Sequence, residues 1–457
     1  MTDTTAGQTH PAGDQLRGSA VMLAAQLTTA AAAFVMTLAV ARSLGPSGRG
    51  AYAFAVTVAV FISIFSHAGL SASLGFHGAR YPWARRRLTA LYVGTAAVTT
   101  LPLTILVWLA MRALTSTDAP AFDRSSDILV LAALAFSSSL FDGTIGIQVA
   151  ARRFHGAAVS SVLATALPAV YAIVAAAGGD LTVRGALLAT AAARAVVGAV
   201  GMLMVLRSTP ARPADSEDLT SRAILDHSGR SFFAVLSGVL TARADQWVLG
   251  IMAGSAPLGI YAVAVSMSDP LQHVSGAAQR GYAPHIAVAR DVGADLTERT
   301  IRGLLVALIL GMIVLAPTAL VLLPVVFGEA FTASRGPFLA LLPGAFGLGL
   351  LAIYSVGLRS TGAPGQSSAV EITTGATMVA LDLLLIGRFG ATGAAVAATV
   401  AYSFGGGLAM YLYQRRTDGG RWTAVIPRAA DFARAARMVG RSVSFARGRR
   451  AAGRLDG

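Results

Sequence analysis

The segment Gly50-Ala51-Tyr52-Ala53-Phe54-Ala55-Val56 returns 209 positions later as Gly259-Ile260-Tyr261-Ala262-Val263-Ala264-Val265. Gly45 and Gly254 lie five residues before the two copies. A second correspondence, at an offset of 208, sets Gly185-Ala186 with Ala189 and Ala193 against Gly393-Ala394 with Ala397 and Ala401. Alanine matches mean little in an Ala-rich chain, but paired Gly and Tyr at nearly equal offsets imply a duplication. Each repeat is then roughly two hundred residues long.

The repeats are built for lipid. Only 13% of the 457 residues are charged and 55% are hydrophobic, whereas soluble domains carry about 25% charged residues. Twelve apolar runs each approach the roughly 20 residues that a membrane-crossing helix needs: 17–42, 48–72, 88–110, 128–150, 156–178, 183–206, 229–253, 258–283, 300–326, 336–360, 366–388 and 393–414. None alternates as a barrel strand does. The expected fold is an all-α polytopic membrane protein with about twelve transmembrane helices, as two parallel-repeat six-helix lobes.

Loop charge sets the orientation. Every basic residue counted as Lys or Arg is Arg. With the first sixteen residues inside, cytoplasmic segments hold Arg17, Arg80, Arg85, Arg86, Arg87, Arg152, Arg153, Arg207, Arg212, Arg222, Arg230, Arg280, Arg290, Arg299, Arg302, Arg359 and the arginines beyond Tyr413. Outer segments hold only Arg42, Arg49, Arg112, Arg124, Arg184, Arg335 and Arg388. The positive-inside rule places both termini in the cytoplasm, and this asymmetry accounts for the net charge of +14 without a nucleic-acid partner. The expected organisation is a cytoplasmic segment 1–16, an N-lobe 17–206, a linker 207–228, a C-lobe 229–414 and a basic tail 415–457. That tail is suited either to lie on anionic inner-leaflet lipids or to remain a basic tail that anchors topology. An even number of helices per repeat relates the halves by an axis along the membrane normal.

Enzymatic patterns are absent. No Lys follows a Gly-rich loop, the seven His residues show no metal-ligand spacing, and no loop is large enough for a catalytic domain. No cofactor, metal or enzyme activity is expected. What remains are ionisable residues within the spans: Arg194, Arg243, Asp142, Asp245, Asp382 and, nearer an end, Glu371. Such groups face a bundle interior or a wet pathway, or lock helices as ion pairs. Gln246 and Trp247 follow Arg243 at i+3 and i+4 and share its face, which suits an anion and a sugar ring. Asp245 looks elsewhere, either as a coupling carboxylate or as a helix–helix hydrogen bond.

Ala41-Arg42-Ser43-Leu44-Gly45-Pro46-Ser47-Gly48-Arg49-Gly50-Ala51-Tyr52 resembles the A-R-x-L-G-P-x-x-x-G-x-Y signature of polysaccharide flippases. These are the Wzx-type members of the multidrug/oligosaccharidyl-lipid/polysaccharide exporter superfamily. Arg243-Ala244-Asp245-Gln246-Trp247-Val248-Leu249-Gly250, then Gly259-Ile260-Tyr261, resembles their seventh and eighth spans, and Gly390-Ala391-Thr392-Gly393-Ala394-Ala395 resembles the opening of a late span. The resemblance implies a bacterial plasma-membrane protein of two six-helix lobes. It implies flipping of a polyprenyl-diphosphate-linked oligosaccharide from the inner to the outer leaflet, driven by H⁺ or Na⁺. Arg243 matches a cavity cation that would hold the diphosphate, Arg194 matches less closely, and Asp245, Asp142, Asp382 and Glu371 are the candidates for ion coupling. Lipid II flippases of the superfamily usually have two further spans.

Three rival readings make different demands on the sequence. A multidrug cation antiporter of the same fold prefers carboxylates and aromatics, and Arg194 with Arg243 would repel its substrate. A polysaccharide polymerase or lipid glycosyltransferase needs a long extramembrane loop or an acidic cluster. A general twelve-span facilitator carries Gly-x-x-x-Asp-Arg between spans two and three, where this chain has Gly78-Ala79-Arg80.

Overall fold

The computed structural model describes residues 11–114, 125–214, 216, 218–288, 293–417, 425–434 and 437. The described residues form helices and no strand. In chain order these are α1 (Pro11–His67), α2 (Leu70–Arg80), α3 (Arg85–Leu114), α4 (Ser125–Ala150), α5 (Phe154–Gly178), α6 (Val183–Arg207), α7 (Ser221–Ala253), α8 (Ser255–Val288), α9 (Gly293–Phe327), α10 (Arg335–Leu341), α11 (Gly344–Ser360) and α12 (Pro364–Thr417). Short 3₁₀ turns occupy Pro82–Ala84 and Glu329–Ser334. Among the described residues seven helices are long and apolar enough to cross a membrane, or eight if the bent pair α10 and α11 is one span. α7 falls outside that set because it carries Arg222, Asp226, Arg230, Arg243 and Asp245. Large side chains left on the outside are apolar, as at Val98, Leu106, Ile313, Val314 and Leu384, which is the surface a hydrocarbon solvent calls for.

Glycines interrupt the long helices where the sequence expects one span to end and the next to begin. α1 holds 57 residues and breaks at Gly45, with φ 65° and ψ −172°. α12 holds 54 and breaks at Gly390. At about 1.5 Å per residue each is long enough to cross a ~30 Å hydrocarbon layer twice. Gly254, between α7 and α8, takes φ 82° and ψ −171°, nearly the conformation of its sequence counterpart Gly45. Positive φ is costly for any residue with a Cβ, so the duplicated glycine marks a duplicated backbone turn.

The two sequence copies also pack on one another. A Cβ on Gly50 would lie 1.7 Å from the Ser255 carbonyl oxygen, and one on Gly259 would lie 1.9 Å from that of Pro46. Residues 46 and 50 thus meet 255 and 259 reciprocally, and only glycine permits backbones this close.

Two compact units divide the chain: Met1–Ser266 with Val326–Phe331, and Met267–Val325 with Thr332–Gly457. Packing thus divides within α8. The physical reason lies in the contacts just described and in those of α2 with the start of α7, which fix α7 and the front of α8 to the helices before the linker. Thr220 caps α7 by accepting a hydrogen bond from the Ala223 amide at 3.2 Å. In the first unit one core gathers Leu70, Leu74, Leu88, Tyr92, Ile147 and Val205, and another gathers Met36, Val40, Ala169, Ala172, Leu181 and Ala186.

Candidate functional site

α7 places Arg243, Asp245, Gln246 and Trp247 within little more than one turn, and the fold treats the four differently. The Arg243 side chain is exposed. Asp245 is 4% exposed and Gln246 5%. Asp245 accepts hydrogen bonds from the Tyr261 hydroxyl and from the Gln246 amide, the latter at 2.7 Å. Gln246 accepts one from the Thr57 hydroxyl of α1 at 3.2 Å. Trp247 is half-buried and its ring lies 5.3 Å from that of Phe61. Of the residues expected to share a face with Arg243, Trp247 packs on Phe61 of α1 and Gln246 enters the contact with Thr57. Asp245 serves as a helix–helix acceptor, one of its two sequence readings. An ionised carboxylate can be buried only with such donors.

The other ionisable residues are engaged as well. Arg194 of α6 is half-buried and donates to the Ser138 hydroxyl of α4 at 2.7 Å. Asp142, one turn beyond Ser138, lies within its electrostatic reach. Arg194 is thus tied to α4. In the second unit Glu371 pairs with Arg359 at 3.2 Å across α11 and α12, and Asp382 of α12 is fully buried. Among these candidates Arg243 is exposed, within electrostatic reach of Asp245, and Asp142 is exposed near Arg194.

Three polar groupings escaped sequence reasoning. Arg49, expected in an outer loop, is 7% exposed, faces the Thr37 hydroxyl at 3.4 Å and lies 5.8 Å from the Tyr52 ring centroid. Within the first unit Ser63, Ser66 and Ser139 exchange hydroxyl bonds of 2.9 and 3.1 Å, and Tyr92 donates to the Ser139 carbonyl at 2.6 Å. In the second, the Thr297 hydroxyl bridges those of Tyr282 and Tyr413, the latter at 2.9 Å. Single Ser, Thr and Tyr residues on apolar helices carry no spacing signal, so only packing reveals them. Among the described residues no cluster of three or more His, Asp or Glu is placed to hold a metal.

The overall fold resembles that of known transporters. A lipid II flippase, MurJ, in its inward closed conformation matches with a TM-score of 0.70 at 11% identity, over 90% of this chain and 88% of that one. An outward-facing multidrug resistance transporter of the MATE family matches with a TM-score of 0.58 at 16% identity, over 89% and 95%. A transporter from Pyrococcus furiosus, described as having a binding pocket of reverse polarity, matches with a TM-score of 0.54 at 16% identity, over 89% and 95%. At such identities the likeness is one of fold. No curated protein matches the sequence. The family of polysaccharide biosynthesis proteins matches residues 15–280, more than half of the chain. This multi-pass membrane protein therefore belongs to the polysaccharide biosynthesis protein family.

Proposed function

We propose that the protein is a secondary transporter that flips a polyprenyl-diphosphate-linked oligosaccharide from the inner to the outer leaflet of the bacterial plasma membrane, for cell-surface polysaccharide biosynthesis. Family membership supplies the glycan context, and the flippase and exporter folds supply the type of movement. The observation that carries the substrate reading is Arg243. It lies on a helix whose neighbouring residues Asp245 and Gln246 are buried, yet its own guanidinium is left exposed. A fixed guanidinium offers bidentate donors to diphosphate oxygens. Trp247 beside it offers a ring against which a sugar packs, and Gln246 holds the helix in place.

In this reading the chain makes twelve crossings in two six-helix lobes, 17–206 and 229–414. The glycine breaks in α1 and α12 support that number, since each divides a helix long enough for two passes. Both termini face the cytoplasm, and the tail from 415 lies against anionic lipid. A proton or sodium ion drives the cycle, with Asp142, Asp245, Asp382 and Glu371 as the carboxylates to test. The multidrug antiporter shares this fold, but an exposed cation at the substrate path opposes a cationic drug.

The deciding experiment deletes the gene, extracts lipids and asks which polyprenyl-linked oligosaccharide accumulates on the inner leaflet. Complementation by the wild-type chain but not by Arg243→Ala, at equal membrane abundance, supports the reading. Unchanged lipid-linked glycans in the deletion strain overturn it.

A further inference from the structure

Where α2 meets the start of α7, a pair of histidines has no part in the proposed substrate path. His77 is 6% exposed, and neither of its ring nitrogens has a hydrogen-bond partner. The Ala223 carbonyl lies close enough to act as a loose backbone acceptor, which favours the charged ring, although not at full hydrogen-bond geometry. Its ring centroid lies 5.3 Å from that of His227, with the planes 70° apart. His227 in turn stacks on Phe76 at 4.6 Å, and Tyr81 stacks over His77 at 6.1 Å. A buried imidazole with no well-formed hydrogen bond is a rare placement, and here it lies beside a second imidazole.

The helices around the pair touch closely. The Ser73 and Ser228 hydroxyls are 2.8 Å apart, Ser73 also donates to the Ile224 carbonyl at 3.0 Å, and both serines are buried. A Cβ on Gly69 would lie 2.2 Å from the Ser228 carbonyl oxygen. Among the described residues no ion pair to His77 is formed. Arg80 follows on its own helix, and Asp226 and Arg230 of α7 are exposed. Arg85 of α3 is committed to the Gly78 and Ala150 carbonyls at 2.8 and 3.2 Å. α4 contributes the apolar Ile147 and Ala150.

We propose that His77 and His227 form a proton-binding latch: neutral, the pair lets α2 and α7 pack, and protonated, it drives them apart. A proton on His77, whose ring lies 5.3 Å from that of His227, would bury a charge near Arg80 in a contact built on serine hydroxyls and touching backbone. Burial, and then the field of His227, already hold the His77 pKa below its ordinary value, so the neutral form is the one that fits the closed contact. Resting on the transport reading, the latch lies on the side placed in the cytoplasm, and its release there admits substrate.

The chain has no cysteine, so Ala79→Cys on α2 and Leu225→Cys on α7, both exposed, accept spin labels in the otherwise unaltered full-length protein. Double electron–electron resonance in nanodiscs should show one short distance at pH 7.5. At pH 5 the ratio of long to short distances should rise. His77→Gln with His227→Gln should abolish the response, and the apolar pair His77→Phe with His227→Phe serves as a second test of it. A distance that ignores pH, or one that responds equally without the histidines, overturns the latch.

A disulfide between Ser73→Cys and Ser228→Cys should block flipping reversibly, and a bridged protein that still flips overturns the gating role. The spectroscopic arm uses no substrate. If the pH response appears but the deletion strain accumulates no lipid-linked glycan, the substrate reading fails and the latch stands.

Discussion

Replacing Gly50 with Ala should loosen the helix crossing between the two sequence copies. The added Cβ would lie 1.7 Å from the Ser255 carbonyl oxygen. A carbon–oxygen contact between helices needs about 3.3 Å, so the backbones must separate by about 1.6 Å. Overpacking of this kind costs about 1–3 kcal/mol. It is offset by up to about 1 kcal/mol, because alanine loses less entropy than glycine in a helix. The net expectation is a loss of up to about 3 kcal/mol, read as a lower thermal midpoint in detergent. Gly238→Ala in α7 is the control, since its Cβ would meet nothing within 4 Å, and only the favourable part applies there. Gly259→Ala should resemble Gly50→Ala, and the double variant should cost less than the two combined, because one separation relieves both clashes. A midpoint for Gly50→Ala at or above that of Gly238→Ala would refute the reasoning.

Arg243→Ala should abolish flipping at unchanged membrane abundance, while Arg243→Lys keeps part of it because charge remains and the fork is lost; complementation of a deletion strain checks both. Arg194→Ala should lower the thermal midpoint as well as transport, since it removes the bond to Ser138 and the charge near Asp142, and an unchanged midpoint argues against a structural part. For Asp245→Asn and Tyr261→Phe, a double-mutant cycle on stability should give a coupling of about 0.5–3 kcal/mol, with Tyr261→Phe still transporting if the bond is structural. His77 has its folded pKa lowered, so its contribution to stability is present above the unfolded value near 6.5 and is lost as pH falls through the folded one. Thermal midpoints from pH 7.5 to 5 should therefore drop more steeply for the wild type than for His77→Gln.

Much of the helical framework was legible because membrane helices announce themselves by length and apolarity, and because a turn with positive φ must retain glycine. Gly45 and Gly254 were visible as a pair for that reason, and their backbones agree. What sequence could not supply were the partners of polar groups. Asp245 finds Tyr261 only because α8 folds back along α7, and Arg194 finds Ser138 only because α4 and α6 pack side by side. Gln246 was assigned to the face of Arg243 by angle, yet a 60° offset is enough to carry it into the contact with Thr57. α7 begins at Ser221, ahead of the apolar run from 229, through polar first turns that carry no hydropathy signal. The division of packing within α8 depends on contacts hundreds of residues apart, which no local pattern encodes.

The reciprocal meeting of Pro46 and Gly50 with Gly259 and Ser255 has the form of an isologous interface, in which one surface is used twice. Two identical chains related by a two-fold axis would make the same contact. The single chain has thus retained, at this crossing, the self-complementarity of a homodimer. Its evolution there is constrained in pairs: a larger residue accepted in one copy alters the fit required of the other, so these four positions drift together while the rest of the two halves diverge freely.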